Sequence, residues 1–122
     1  MRKNFILETL LESGEVVWKP RGNSMTPKIN SGDQVLIKSS NQLILLVGDI
    51  VYVKVKSNYY LHLISAIDGD RYQISNNHGF VNGWVHRNNI FGICIKIEDK
   101  VLLNGEDLKL REEAFTSEQS KA

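Results

Sequence analysis

Cysteine is nearly absent from this chain. Cys94 stands alone, which excludes an internal disulfide framework and a thiolate zinc cluster. Its setting, Phe91-Gly92-Ile93-Cys94-Ile95-Lys96-Ile97, suits a small buried apolar side chain rather than a reactive thiol. Long hydrophobic runs are missing as well: no segment approaches the roughly 18 apolar residues that span a bilayer. Met1-Arg2-Lys3 has the charge of a signal-peptide start, but Glu8 and Glu12 interrupt any apolar stretch behind it. The chain therefore reads as a cytosolic protein without a membrane anchor. An excess of one charge is also lacking. The 15 basic and 14 acidic residues are interspersed, leaving a net charge of +1, so the one-sided positive field that nucleic-acid binding needs is not built. No internal repeat and no dividing linker occurs, and 122 residues form one domain.

What is present is a succession of short alternating segments. Residues 4–13 place Phe5, Ile6, Leu7, Leu10 and Leu11 at helical spacing, with Gly14 as the stop, and predict a short N-terminal helix over 1–14. Val16-Val17-Trp18 reads as a strand ended by Pro20, and residues 21–30 are loop. Strand signals then recur: Val35 and Ile37; Val51, Val53 and Val55; Tyr59–Ile67 after a turn at Lys56-Ser57-Asn58; Tyr72 and Ile74; and Phe91 to Ile97. Within Tyr59–Ile67, Leu61 and Leu63 share one face and Tyr60, His62 and Ile64 the other. This pattern predicts a mainly β fold, a coiled sheet or small barrel occupying 15–103. Asn104-Gly105 suits either a hairpin turn or the cap of a helix over Glu106–Ala114. Residues 104–122 are taken as a charged, solvated C-terminal tail that frays from Thr116 onward.

The segment with most chemical content is Gly22-Asn23-Ser24-Met25-Thr26-Pro27. Ser24 lies in a turn just after a strand, where a hydroxyl can be exposed on a rigid scaffold among backbone N–H groups. A serine hydroxyl needs a base within hydrogen-bond reach, and His62, at mid-strand, is the candidate. An oxyanion would be held by backbone amides around the nucleophile, from Asn23, Ser24 and Met25. Residue type alone also allows plainer roles, a turn-forming serine and a structural histidine.

The order of the segments adds to this. Gly22-Asn23-Ser24-Met25-Thr26-Pro27, then Gly32-Asp33, then Gly48-Asp49-Ile50-Val51, then Leu61-His62-Leu63-Ile64 resembles the signal peptidase I and LexA-like serine peptidase superfamily, from about Pro20 to Ile97. The resemblance implies a fold like the LexA C-terminal domain, with Ser24 as nucleophile and His62 as base, matching the type that uses histidine in place of lysine. In that type acidic residues assist the base; the matching positions here are Asn76 and Asn82. Neither carries a negative charge to stabilise an imidazolium, and removing that charge from a triad can cost about 10⁴ in rate. Asp68 or Asp70, on the neighbouring turn, are the remaining acidic candidates. Without an anchor, and with only some 20 residues before the serine box, the expectation is a stand-alone peptidase-like domain rather than a pre-protein processor or a complete repressor.

Two functions follow from the resemblance. One is a soluble serine endopeptidase that uses a Ser24–His62 dyad on a protein or peptide substrate, or on its own chain, with no metal or organic cofactor. The other is a catalytically weakened, peptidase-like regulatory or mobile-element module that holds a protein partner. The stretch holding His78, Phe80, Trp84, His86 and Arg87 is too poor in converging ligands for a metal. It reads as a long hydrogen-bonded loop closing the barrel with Phe80 and Trp84 tucked in, or as the wall of a cleft. Tyr59 and Tyr60 are candidates to line a groove.

Overall fold

The computed structural model describes residues 4–120. Met1–Lys3, where the signal-like charges fall, and the last two positions of the expected tail lie outside the described residues. Helix α1 (Phe5–Ser13) starts where the Asn4 side chain accepts from the Leu7 N–H and stops where Gly14 takes a left-handed conformation with φ 82°. Its buried side chains are Ile6 and Leu10. Phe5 and Leu11, read from spacing as part of the same apolar side, are 71% and 73% exposed.

Eight strands follow: β1 (Glu15–Trp18), β2 (Val35–Ser39), β3 (Ile50–Val55), β4 (Asn58–Asp68), β5 (Arg71–Ser75), β6 (Val81–His86), β7 (Ile90–Ile97) and β8 (Lys100–Val101). They form one antiparallel sheet in the order β1-β2-β7-β3-β4-β5-β6, with β8 added to β7. The mainly β fold with a short N-terminal helix is therefore as the alternation predicts. The segment expected to be a long loop is in fact strand β6 followed by a 3-10 turn, Arg87–Asn89. Phe80 and Trp84 are not tucked in but 64% and 43% exposed, because β6 is the outer strand of the sheet and only Val85 on it is fully buried.

The sheet has two apolar faces. On one, Ile6 and Leu10 of α1 pack with Val16, Met25, Ile29, Ile37, Tyr52, Leu61 and Cys94. On the other, Val51, Val53, Val55, Ile64, Ile74, Val85 and Ile93 meet, joined by Leu43 and Leu45. Strand β3 contributes to both faces, Ile50 and Tyr52 to the first and its three valines to the second. Such two-sided burial marks the centre of a sheet. At Gly92 the neighbouring strand β2 and helix α1 come too close for a side chain. An added Cβ would lie 2.7 Å from Ile37 Cγ2 and 3.1 Å from the Lys38 carbonyl oxygen.

The C-terminal segment is a helix, α2 (Gly105–Ser120), with no fully buried residue, and it continues through Thr116, where fraying is expected from the sequence. Asn104 and Asp107 cap it reciprocally: the Asp107 N–H donates to Asn104 Oδ1 and the Asn104 N–H to Asp107 Oδ2, both at 2.9 Å. Arg111 docks it on the sheet with two hydrogen bonds to the Asp49 carboxylate, at 2.7 and 3.0 Å. Both side chains are largely out of solvent, at 12% and 9% exposure. Asp49 also accepts from the Leu46 N–H at 2.8 Å, so the Gly48-Asp49 turn is the seat of the helix.

Two stability outcomes follow. Gly92→Ala should lower the unfolding free energy by about 1–3 kcal/mol through overpacking, and Arg111→Ala by about 3 kcal/mol because Asp49 is left charged and nearly buried. Urea titrations of the three proteins check both.

Candidate active site

The Ser24 loop runs from Pro20 to Asp33 and is fixed at both ends. The Gly32 N–H donates to the Pro20 carbonyl at 2.9 Å, and the Gly22 N–H to Ser31 Oγ at 3.1 Å. Met25 and Ile29, 5% and 4% exposed, are sunk into the first core. The Ile29 N–H donates to the Met25 carbonyl at 3.0 Å. Burial of Met25 leaves its neighbour Ser24 on the exposed side of a loop tied down at both ends.

His62 stands on β4 opposite Val51 and is 6% exposed. Its ring stacks on Tyr60, with centroids 4.7 Å apart. Both ring nitrogens have partners. Nε2 lies 3.2 Å from Ser24 Oγ, and Nδ1 lies 2.7 Å from Asn82 Oδ1. A carboxamide oxygen only accepts, so Nδ1 carries the proton and donates it to Asn82. Nε2 then presents a lone pair to the serine hydroxyl. Burial lowers the His62 pKa below its ordinary value, and the Asn82 hydrogen bond raises it in part. Burial thus favours the neutral imidazole, the state a general base requires.

Asn82 reaches His62 from two strands away through a bulge. Between β5 and β6, Ile74 pairs with Gly83 and Ser75 with Val81, so Asn82 has no opposite residue. Bulges re-aim side chains in this way beside functional sites. A glycine within a strand, here Gly83, is the residue type that fits a bulge.

Of the two amides at the helper positions, only Asn82 contacts His62. Asn76 Oδ1 instead accepts from the N–H groups of His78 and Phe80, at 2.8 and 3.0 Å, and shapes the turn before β6. Asp70 pairs with His86 at 2.8 Å, away from the dyad. The turn after Asn76 is tied to the nucleophile loop. The Asn77 N–H donates to the Ser24 carbonyl and its side-chain amide to the Thr26 carbonyl, both at 2.9 Å. His78 Nε2 lies 3.0 Å from the Asn23 carbonyl oxygen and 3.1 Å from Thr26 Oγ1. These contacts with Asn77 and His78 were not legible from residue spacing.

The backbone N–H groups of Ser24 and Met25 donate to no acceptor among the described residues. That leaves two donors beside the nucleophile for a developing oxyanion. Beside them opens a cleft of about 160 Å³, lined by Trp18, Met25, Ile29, Tyr59, Tyr60 and Leu61, with Ser24 and His62 on its wall. Tyr59 and Tyr60 thus line a groove as expected. Among the described residues no three His, Cys, Asp or Glu side chains converge as metal ligands. The Cys94 thiol is pushed up to about 11 by burial, which keeps it protonated.

Giving the dyad a charged third member should reverse the effect of burial. In Asn82→Asp, a carboxylate beside Nδ1 favours the imidazolium, so the His62 pKa rises relative to wild type. In the wild type, a folded pKa below the unfolded value of about 6.5 means that stability is complete above that pH and is lost as pH falls toward the folded pKa. NMR titration of His62 and unfolding midpoints across that range check both signs.

A family model described as Peptidase S24-like matches residues 5–94. No curated protein matches the chain significantly. The matched span runs from α1 into β7 and holds Ser24, His62 and Asn82. By that match over most of its length, the chain belongs to the peptidase S24-like family, within the LexA and signal peptidase-like superfamily of serine peptidases.

Proposed function

We propose that the chain is a serine endopeptidase whose nucleophile is Ser24, whose base is His62 and whose third member is the neutral Asn82. The observation that carries this is the 3.2 Å contact between His62 Nε2 and Ser24 Oγ, with the opposite ring nitrogen held by Asn82. In the reaction His62 Nε2 takes the hydroxyl proton as Oγ attacks the scissile carbonyl. The Ser24 and Met25 amides bind the oxygen that becomes negative. The His62 proton then passes to the leaving amine nitrogen as the C–N bond breaks. Water, deprotonated by His62, hydrolyses the acyl-enzyme and regenerates Ser24. A histidine oriented by asparagine serves cysteine nucleophiles in the same geometry. Asn82 must keep its oxygen, not its NH₂, toward Nδ1, because the opposite orientation gives the unproductive tautomer.

The substrate is an extended stretch of a protein, or of this chain itself. Strand β1 is an outer strand of the sheet and ends at Trp18 on the rim of the cleft. A peptide added along β1 gains main-chain hydrogen bonds without regard to sequence and is carried to Ser24. A second function, a peptidase-like module that holds a protein partner, is favoured by one observation: no carboxylate stands behind His62 to stabilise its charged form. The same cleft and edge would then bind without cutting.

Wild type and Ser24→Ala, each incubated with lysate of the native host, separate the two. New protein N-termini and the intact mass of the protein itself are read by mass spectrometry. For the endopeptidase, termini arise only with wild type, fall by about 10²–10⁴-fold in His62→Ala, and increase in Asn82→Asp. Identical profiles from folded wild type and Ser24→Ala exclude cleavage and point to the binding module instead.

A further inference from the structure

The second histidine at this site, His78, has no part in the dyad, yet it touches the nucleophile loop directly. Its Nε2 faces two oxygens at once, the Asn23 carbonyl at 3.0 Å and Thr26 Oγ1 at 3.1 Å. The Thr26 hydroxyl itself donates to the Asn23 carbonyl at 2.9 Å. A bare Nε2 would set its lone pair against the carbonyl oxygen, so the arrangement is satisfied only when Nε2 carries a proton and donates it. The carbonyl therefore receives hydrogen bonds from His78, from the Thr26 hydroxyl and, at 3.3 Å, from the Thr26 N–H.

That carbonyl belongs to the same peptide group as the Ser24 N–H. The group is planar and trans, so the N–H points opposite to the C=O, away from His78. Donors on the carbonyl draw charge through the conjugated amide and make the N–H more positive, the cooperative strengthening of chained hydrogen bonds. They also fix the rotation of the peptide, and with it the direction of the N–H. The Ser24 N–H has no acceptor of its own among the described residues.

We propose that His78 is a positioning residue for the oxyanion site. By donating to the Asn23 carbonyl, it orients and polarises the Ser24 amide that receives the negative oxygen of the tetrahedral intermediate. This rests on the endopeptidase function given above. His78 is itself held for the task, since its N–H and that of Phe80 both donate to Asn76 Oδ1, and the Asn76 N–H donates to the Phe80 carbonyl at 2.9 Å. The turn thus delivers the imidazole from the start of β6, the strand that supplies Asn82. One short segment serves both ends of the site: its turn sets the oxyanion peptide, and its bulge sets the base.

The test is the rate at which a fluorophosphonate labels Ser24, read by intact mass, because phosphonylation also develops negative charge on an oxygen beside the serine. His78→Leu removes the donor, His78→Glu replaces it with an acceptor, and His78→Gln keeps an N–H. Unfolding midpoints confirm that each is folded, and two donor-less variants guard against the loss of one. Losing a direct oxyanion donor costs about 10²–10³, so losing the group that orients it should slow labelling by about tenfold. His78→Gln should recover most of the wild-type rate. Equal rates in wild type and the donor-less variants overturn the proposal. Slow labelling in His78→Gln as well overturns it in favour of simple packing. If wild type itself is unlabelled while folded, the endopeptidase function fails and this inference fails with it.

Discussion

A buried imidazole must satisfy two ring nitrogens, and most of the site follows from meeting that demand at His62. With 6% of its surface exposed, His62 has little water to rely on, and an unpaired nitrogen there would cost about 1–3 kcal/mol. Asn82 answers at Nδ1 and Ser24 at Nε2. To bring them in, the chain bends β6 with a bulge and pins the Ser24 loop by sinking Met25 and Ile29 into the core. The contacts proposed for a nucleophile and its base are thus also the way the fold closes its own hydrogen bonds.

That double role bears on how a neutral third member can serve. A carboxylate would both orient the ring and hold its positive charge with a full negative one; Asn82 orients the ring and, as a neutral acceptor, favours the charged form only in part. Burial pushes His62 toward its neutral form, which favours proton acceptance from Ser24 at the start and opposes the charged state that follows. In the proposed reaction the oxyanion side therefore matters more, and it is the better furnished one. Two amides without acceptors flank the nucleophile, and the peptide ahead of Ser24 is anchored through its carbonyl by Thr26 and His78. The S24-like family match over residues 5–94 covers all of these residues, while α2, held on the sheet by the Arg111–Asp49 pair, lies beyond it.

Much of this was legible in the sequence where a single residue type dictates its neighbours. Gly14 ended α1, alternating valines and isoleucines marked the strands, and the Gly22–Pro27 box with His62 named the pair whose Oγ and Nε2 lie 3.2 Å apart. Other parts needed the folded chain. β6 reads as loop because Asn82, Gly83 and Trp84 break its alternation, a consequence of being an outer strand with a bulge. Asn76 and Asn82 could not be ranked by spacing, since the choice depends on which of them the bulge turns toward β4. Helix α2 has its apolar residues scattered around the axis, so periodicity was silent. The Asn104–Asp107 cap was the readable signal, but Asn104-Gly105 suited a hairpin equally well. The reach of His78 back to Asn23 spans 55 residues, beyond what local pattern encodes.

The central claim is that His62 holds its proton on Nδ1 and offers Nε2 to Ser24, and long-range ¹H–¹⁵N NMR of the His62 ring at neutral pH tests it most directly. A protonated Nδ1 and a bare Nε2 are expected, with that preference weakened in Asn82→Leu. A protonated Nε2 with a bare Nδ1 would contradict it, because Asn82 would then be donating its NH₂ and no lone pair would remain to take the Ser24 proton.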